Sequence, residues 1–320
     1  MGVLVLVLIG AWAGLSFGGW NGNQGAETPQ TILPEAVVDG DPPQSTATAT
    51  AESSPTGTVR PMPTTTATCP PTPTAEPQAD DSRTVMRGEV AVEQVFVPAG
   101  SFMMGSEDGD DDERPVHEVT LDVFWIDRTE VTNSQYEGCV ADGTCQAPRK
   151  PSSVRRSSYY GNAQYADYPV IYVSWYDARD FCEWASGRLP TESEWEYAAR
   201  GPESYAYPWG NQSPSCNLLN YNNCVGDTSE VIAYPAGASW VGALDMAGNV
   251  WEWVNDWYDS EYYSNSPGEN PPGPASGEYR VLRGGAWDFN GDDNDARSAI
   301  RLVSQPGNRF DHIGFRCAQE

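Results

Sequence analysis

The alternation of apolar and polar positions predicts short strands where the chain first becomes rich in large side chains. Residues 96–105 have the pattern of strand, turn and strand, and residues 119–126 alternate like another strand. The acidic stretch 106–113 lies between them. It resembles part of a calcium-binding loop but lacks the terminal glutamate of the full pattern, so we predict a solvated acidic turn.

Helical spacing is confined to a few segments. A capping box at Ser174 predicts a helix that stops by Gly187, and a second box at Thr191 predicts a helix that runs to about Arg200. A third helix is predicted over residues 133–141. The remainder of the chain shows little sustained periodicity, and long loop-rich regions in compact domains are usually ordered by disulfides or bound ions.

The aromatic residues divide the chain. No Phe, Trp or Tyr occurs between Trp20 and Phe96, and 33 of the 36 aromatic residues lie from Phe96 onward. Large rings supply much of the area that a core can bury. We therefore predict a signal peptide or short signal anchor at 1–20, a disordered Pro/Thr/Ser-rich tether at 21–90 and one folded domain at 91–320.

Charge excludes several classes of partner. The net charge is −27, and from Ala91 onward 36 acidic and 15 basic residues give −21. Such a field repels phosphate backbones and anionic lipid, so we expect no nucleic-acid partner and contact with a membrane only through the N-terminal segment. Calcium and cationic groups suit this charge better.

The seven cysteines indicate an oxidising compartment. Cys69 lies in the tether, as a free thiol or an intermolecular bridge, and six cysteines in the domain allow three disulfides. Two pairs are close enough in sequence to close small loops, namely Cys139 with Cys145 and Cys216 with Cys224. We predict an extracytoplasmic protein, either secreted or anchored at the cell surface.

A series of motifs recurs in one order along the domain. They are Phe-Val-Pro-Ala-Gly-Ser-Phe-Met-Met-Gly at 96–105, Arg-Pro-Val-His at 114–117, Thr-Glu-Val-Thr-Asn at 129–133, Arg-Leu-Pro-Thr-Glu-Ser-Glu-Trp-Glu-Tyr-Ala at 188–198, Gly-Asn-Val-Trp-Glu-Trp at 248–253, Arg-Gly-Gly at 283–285 and Gly-Phe-Arg-Cys at 314–317. This series resembles the sulfatase-modifying factor (formylglycine-generating enzyme) superfamily over about 70% of the chain. The resemblance implies an α+β domain with little regular secondary structure, related to C-type lectin-like folds.

The resemblance also implies a disulfide and bound calcium. It pairs Cys182 with Cys317. It places one calcium ion on the side chains of Asp245 and Glu252 and the carbonyls of Gly248 and Val250, which suits the preference of Ca²⁺ for carboxylate and carbonyl oxygens. A second ion would fall on Asn220, the carbonyl of Tyr221, Asn223 or Asp227, in a loop that precedes the first site in the chain.

The decisive departure concerns the two cysteines with which the family enzymes bind copper. Their positions fall on Phe289 and, within one residue, Asn294, and a pocket serine becomes Ala286. Soft thiolates select Cu(I), so copper chemistry is disfavoured. The iron-dependent relatives use three histidines, whereas this chain has two. We therefore predict calcium as the metal, without copper or iron, and assign no catalytic residue.

The function is left between three hypotheses. The leading one is a surface domain that binds a peptide, a glycan or a surface protein in the family's groove. The alternatives are a formylglycine-generating oxidoreductase acting on sulfatase cysteines, and a structural partner of a surface enzyme. The predicted groove residues are Trp251, Trp287, Asp288, Asn290, Asp292, Asn294, Arg297, Arg301 and His312. The tryptophans fit core packing equally well.

Overall fold

The computed structural model describes residues 77–79, 81–288 and 293–320. The predicted signal segment and most of the predicted tether lie outside this part of the chain. Within it, no helix has the length and apolar character needed to span a membrane.

Ordered structure begins inside the range assigned to the tether. Strand β1, Ser82–Arg87, pairs antiparallel with β2, Val90–Val97. The Arg87 guanidinium lies in a buried ion pair with Asp127, at 2.5 and 2.7 Å. Pairing with the apolar β2 and this buried contact stabilise β1, although it lies within the range predicted as the tether.

The pattern predicted as one strand over 119–126 is divided between two sheets. Strand β3, Gly100–Met104, pairs with β4, His117–Leu121, as a two-stranded sheet. Strand β5, Phe124–Asp127, joins the first sheet beside β2. The chain turns at the exposed Asp122, whose backbone N–H donates to the Asn270 side chain at 2.9 Å. The buried positions change from Val119 and Leu121 to Phe124 and Ile126 across this turn, and the unbroken apolar run 123–126 gave no sign of that change.

The three predicted helices are present and begin at capping boxes. Helix α1 is Asn133–Asp142, α2 is Trp175–Trp184 and α3 is Glu192–Arg200. In each, a Ser or Thr oxygen accepts from the backbone N–H three residues on, and the side chain there accepts from the capping residue's own N–H. A short fourth helix, α4, spans Tyr262–Asn265.

The C-terminal half contains strands that periodicity did not predict. The third sheet has the order β8-β7-β6-β9, where β6 is Trp251–Trp257, β7 is Arg280–Arg283, β8 is Leu302–Ser304 and β9 is Ile313–Phe315. Strand β9 runs parallel to β6, and β10, Ala318–Gln319, returns to the first sheet beside β5. Most residues of β6 are buried, so its sequence shows no polar–apolar alternation.

Buried ion pairs run through this core. All nine residues of α3 are buried, and Glu196 on α3 accepts from Arg283 and Arg200. The acidic turn is not wholly solvated as predicted: Glu113 is fully buried and receives both terminal nitrogens of Arg297 at 2.6 Å. A bidentate guanidinium compensates the cost of burying that carboxylate.

The structure contains the three disulfides that the sequence analysis predicted. Cys182–Cys317 joins α2 to the segment before β10 across 135 residues, while Cys139–Cys145 and Cys216–Cys224 close loops of 6 and 8. The fold is thus a mixed α/β domain with few helices and several small sheets.

Candidate functional site

The segment 245–252 is bent by residues in the left-handed region before it enters β6. Asp245 and Asn249 have φ of 54° and 57°. Gly248 has φ of 78°, and a Cβ there would lie 2.5 Å from the Asn220 carbonyl oxygen. The close approach allows the Asn249 N–H to donate to that carbonyl at 2.7 Å. Only glycine fits position 248 without moving the backbone.

Glu252 is fully satisfied by protein donors. Its Oε1 accepts from Arg316 Nη2 at 2.6 Å, and its Oε2 accepts from Arg316 Nε at 2.7 Å and from Trp195 Nε1 at 2.8 Å. Both partners of the ion pair are completely buried. The carboxylate assigned to calcium by resemblance is therefore already neutralised by a guanidinium.

Near Glu252, the buried side chains of Asp245 and Glu130 have carboxyl oxygens without partners in the described part of the chain. Neither oxygen of Asp245, nor Oε2 of Glu130, has a hydrogen-bond partner within the described residues. Burial, followed by the charge of Asp245, raises the pKa of Glu130 well above its ordinary value. Burial likewise raises the pKa of Asp245, against the opposing effect of Arg316. The two groups are thus held out of water without a counter-charge of their own, and burial favours their neutral, protonated forms unless a cation is bound.

Hydrogen bonds join the two chain segments that contain Glu130 and Asp245. Arg316 donates to the carbonyls of Arg128 and Leu244, and the Leu244 N–H donates to the Arg128 carbonyl at 2.7 Å. Asn249 Nδ2 donates to Glu130 Oε1 at 3.0 Å. The segment before α1 is therefore hydrogen-bonded to the bend before β6, close to the residues with unpaired oxygens.

The second predicted calcium loop is organised differently. Asp227 accepts from Ser153 Oγ at 2.6 Å and from Arg155 N and Thr228 N at 2.8 Å, and its Oδ2 lies 3.2 Å from Arg156 Nη1 in an ion pair. Both carboxylate oxygens are thus occupied.

The other three predicted ligands of this second ion make different contacts. The Tyr221 carbonyl accepts from Cys224 N, and Asn223 N donates to the Trp287 carbonyl. Asn220 Oδ1 is buried without a partner among the described residues. The four predicted ligands of the second ion therefore do not present a common set of free oxygens.

Within the part of the chain that the structure describes, unpaired buried carboxylate oxygens are present at the first predicted calcium location and absent from the second. Across the described residues, no three side chains of His, Cys, Asp or Glu converge in a metal-binding arrangement. A cation at Asp245 and Glu130 would accordingly need carbonyl or water oxygens in addition, as Ca²⁺ commonly takes. The unpaired oxygens there are hard ligands of the required kind.

Several predicted groove residues are part of the interior. Trp251 and Trp287 are 1% and 6% exposed. Arg301 binds Glu192 through two nitrogens, at 2.7 and 2.9 Å, and Arg297 is held by Glu113. Asn290 and Asp292 lie outside the described residues, and Asn294 belongs to the short 3-10 turn Asp293–Ala296.

His312 and Asp288, in contrast, lie together at the surface. His312 Nδ1 is 3.4 Å from Asp288 Oδ2 and 3.3 Å from Asp311 Oδ1, and its ring stacks on Phe310 at 5.6 Å. Phe310 is 42% exposed. The hydrogen bond from His312 holds the pKa of Asp311 below its ordinary value.

The same surface extends to the other side of Asp311. Tyr172, with φ of 59°, donates to Asp311 Oδ2 at 3.1 Å, and Lys150 Nζ lies 4.7 Å from the Tyr172 ring centroid. Burial and the neighbouring Asp311 raise the pKa of Tyr172 to about 12. We call this set the His312 surface; it consists of Lys150, Asp288, Phe310, Asp311 and His312, together with Tyr172, which is only 6% exposed.

Sequence reasoning missed part of both locations. Glu130 and Arg316 lie inside the family motifs, yet nothing in their spacing relates them to Asp245. Phe310 and Tyr172 are far apart in the chain and carry no motif. A charged residue inside a family motif is a usable signal for Glu130 and Arg316, since charged side chains are rarely buried unless a partner or an ion compensates them.

Comparison with known families and proteins agrees with these motifs. A family model described as "Sulfatase-modifying factor enzyme 1-like domain" matches residues 80–320. Formylglycine-generating enzyme of Streptomyces coelicolor is 34% identical over 281 residues, covering 71% of this chain and 89% of that protein. Inactive C-alpha-formylglycine-generating enzyme 2 of Bos taurus is 32% identical over 279 residues, covering 71% and 88%.

The chain is also similar to part of a protein kinase and to two solved structures. Serine/threonine-protein kinase pkn1 of Chlamydia caviae is 39% identical over 240 residues, but these cover 71% of this chain and only 38% of the kinase. Among solved structures, Treponema denticola variable protein 1 matches with a TM-score of 0.64 and 28% identity, over 74% of this chain and 98% of that one. PvdO from Pseudomonas aeruginosa gives the same TM-score and identity, over 77% and 100%.

Proposed function

This chain belongs to the sulfatase-modifying factor family, and we propose that it is an exported, calcium-stabilised member that binds a peptide or glycan and does not form formylglycine by copper chemistry. The observation that carries the proposal is the His312 surface. Its member Asp288 immediately precedes, in the sequence, position 289, one of the two to which the resemblance assigns the copper-binding cysteines, and the surface offers an aromatic face with polar groups.

The thiol count supports the first half of this proposal. The six cysteines of the described chain are all consumed in disulfides. Phe289 has no metal-binding atom and Asn294 has only a neutral amide, whereas Cu(I) requires soft ligands. The bovine relative whose name includes "inactive" is an example of a family member so described.

The chemistry of the His312 surface supports the second half. An exposed ring stacked on an imidazole gives a flat apolar face, which suits a sugar ring or a peptide side chain. Asp288 and Asp311 would accept hydrogen bonds from hydroxyl or amide groups at its edge. The disulfides are typical of an oxidising compartment, which supports export.

Calcium would act on stability in this proposal. Asp245 and Glu130 would hold it, and it would supply the positive charge that those buried carboxylates lack. No step at the His312 surface depends on the ion.

Binding of the purified chain to immobilised glycans and random peptides tests the proposal. We expect Phe310→Ala to weaken the recovered interaction at least about tenfold, since it removes the exposed ring face. Met86→Ala, which shortens a 62%-exposed side chain on β1, is the matched control and should leave binding unchanged. Equal binding by the two variants would count against the His312 surface.

A second arm separates binding from oxidation. The chain is incubated with copper, oxygen and a peptide containing Cys-x-Pro-x-Arg, and the peptide mass is measured. We expect no conversion above a metal-only control. Turnover would favour the oxidoreductase alternative.

A further inference from the structure

We propose that the folded chain holds one divalent cation rather than two: Glu130 and Asp245 supply its carboxylates, and the guanidinium of Arg156 permanently takes the place of the second ion. This inference rests on the calcium part of the proposed function and names the residues that carry it. It changes the ligand set expected from the family motif in two respects.

The first change replaces Glu252 by Glu130. Glu252 has no free oxygen, because Arg316 and Trp195 occupy both. Glu130 is 0% exposed and keeps Oε2 unpaired, while its Oε1 is fixed by Asn249. Asp245 is 4% exposed and keeps both oxygens unpaired.

The charges of this cluster call for a dication. Among the described residues it contains the carboxyl groups of Glu130, Asp245 and Glu252 and the guanidinium of Arg316, so that with every group ionised two negative charges would remain uncompensated. A buried carboxylate without a partner costs several kcal/mol. One Ca²⁺ would balance the cluster and would use oxygens that are otherwise unsatisfied.

The position of Glu130 gives the ion a structural role. Glu130 lies between β5 and α1, whereas Asp245 precedes β6. The two segments are joined by the Leu244 N–H to Arg128 carbonyl bond at 2.7 Å and by Arg316. A cation held by both carboxylates would cross-link the N-terminal sheet to the C-terminal sheet.

The second change concerns Arg156, which already neutralises Asp227. Its Nη1 lies 3.2 Å from Asp227 Oδ2, and its two terminal nitrogens also donate to the side chain and carbonyl of Thr228. Three tyrosine rings lie around the guanidinium, with centroids at 5.8, 4.9 and 4.9 Å. They belong to Tyr159, Tyr165 and Tyr168.

This arrangement would exclude a metal ion. The Arg156 side chain is only 16% exposed, and the faces of the tyrosine rings favour a cation at that place. A dication bound to Asp227 would be repelled by the adjacent guanidinium, and it would find the carboxylate oxygens already accepting four hydrogen bonds or ion-pair contacts. The guanidinium of Arg156 therefore supplies the positive charge beside Asp227.

Metal stoichiometry tests both changes without any peptide or glycan ligand. The intact chain is stripped with chelator, titrated with calcium by calorimetry and analysed for bound metal by mass spectrometry. We expect one ion per chain. Two ions would overturn the role of Arg156, and none would overturn the site at Glu130.

Variants assign the ligands. Glu130→Gln and Asp245→Asn should each weaken calcium binding at least about tenfold, because each removes a charged oxygen from the ion. Glu89→Gln, at an exposed position, is the matched control and should bind as the parent does. Unchanged affinity in Glu130→Gln would refute the assignment of Glu130.

Arg156→Gln tests the built-in cation separately. We expect calcium to raise the melting temperature of this variant by more than that of the parent, because Asp227 then lacks a counter-charge. An equal shift would contradict the proposal. If the variant does not fold, the stoichiometry of the parent chain still decides the matter. The ligand-binding proposal fails or stands on the Phe310→Ala experiment alone.

Discussion

At the scale of the residue, burial has reversed the ordinary ionisation of Asp256. Burial, followed by the charge of Glu192, raises the pKa of Asp256 to about 8. The folded protein therefore retains this proton at pH values where the unfolded chain, with a pKa of about 3.9, has lost it. The resulting stability is complete below about pH 4 and is lost as the pH rises through about 8.

Replacing this carboxyl should remove that loss. We expect Asp256→Asn to be more stable than the parent by at least about 1 kcal/mol at pH 8, and the difference should shrink towards pH 4. The amide oxygen can still accept from the Glu192 N–H, which now donates to Asp256 at 2.7 Å. Urea unfolding between pH 4 and 8 measures the effect, with the exposed Asp108→Asn as control. A difference independent of pH would contradict the argument.

At the scale of the element, α3 is stabilised by charges on a fully buried helix. Glu196 accepts from the Gly105 N–H at 2.8 Å, from Arg200 at 2.9 Å and from Arg283, which has no exposed surface. This single carboxylate therefore connects α3 to β3 and β7. An apolar stripe alone would not have placed the helix in this orientation.

Glu196→Gln should accordingly be severe. The amide turns one acceptor into a donor facing the Arg283 guanidinium and leaves that buried charge with only the more distant Glu192 carboxylate, 3.4 Å away, so we expect a loss of about 3 kcal/mol. Glu183→Gln on α2 makes the same chemical change at a side chain that is 65% exposed, and it should cost no more than about 0.5 kcal/mol. Equilibrium unfolding of both variants gives the comparison, and similar losses would show that the buried pair contributes little.

At the scale of the whole molecule, the longest disulfide closes most of the domain. Cys182–Cys317 encloses 135 residues, whereas Cys139–Cys145 encloses 6. In the chain-entropy treatment, loops of these lengths contribute about 5 and about 2 kcal/mol to stability. The long bridge should therefore dominate.

Double replacement by serine tests this difference. We expect Cys182→Ser with Cys317→Ser to lower the free energy of unfolding by roughly 2–3 kcal/mol more than Cys139→Ser with Cys145→Ser does. Both pairs are buried, so the loss of packing is comparable in kind. Equal destabilisation would mean that packing around the sulfur atoms, rather than loop closure, determines the cost.

The sequence by itself determined the family, the fold class, helices α1 to α3 and the disulfide pairs. These features depend on local signals: capping boxes at Thr132, Ser174 and Thr191 fix where helices begin, and ordered motifs identify the domain. The strands of the C-terminal half escaped, because segments such as β6 are buried on both faces and carry no alternation.

Only the tertiary structure decided which polar and charged side chains are in contact. Glu252 and Arg316 are 64 residues apart, and Glu130 and Asn249 are 119 apart, yet each pair is in contact. Whether a carboxylate is left for a cation depends on which donors reach it, and those donors come from several elements. A motif can suggest Asp227 as a metal ligand, but only the tertiary structure shows that Arg156 already forms an ion pair with the same carboxylate.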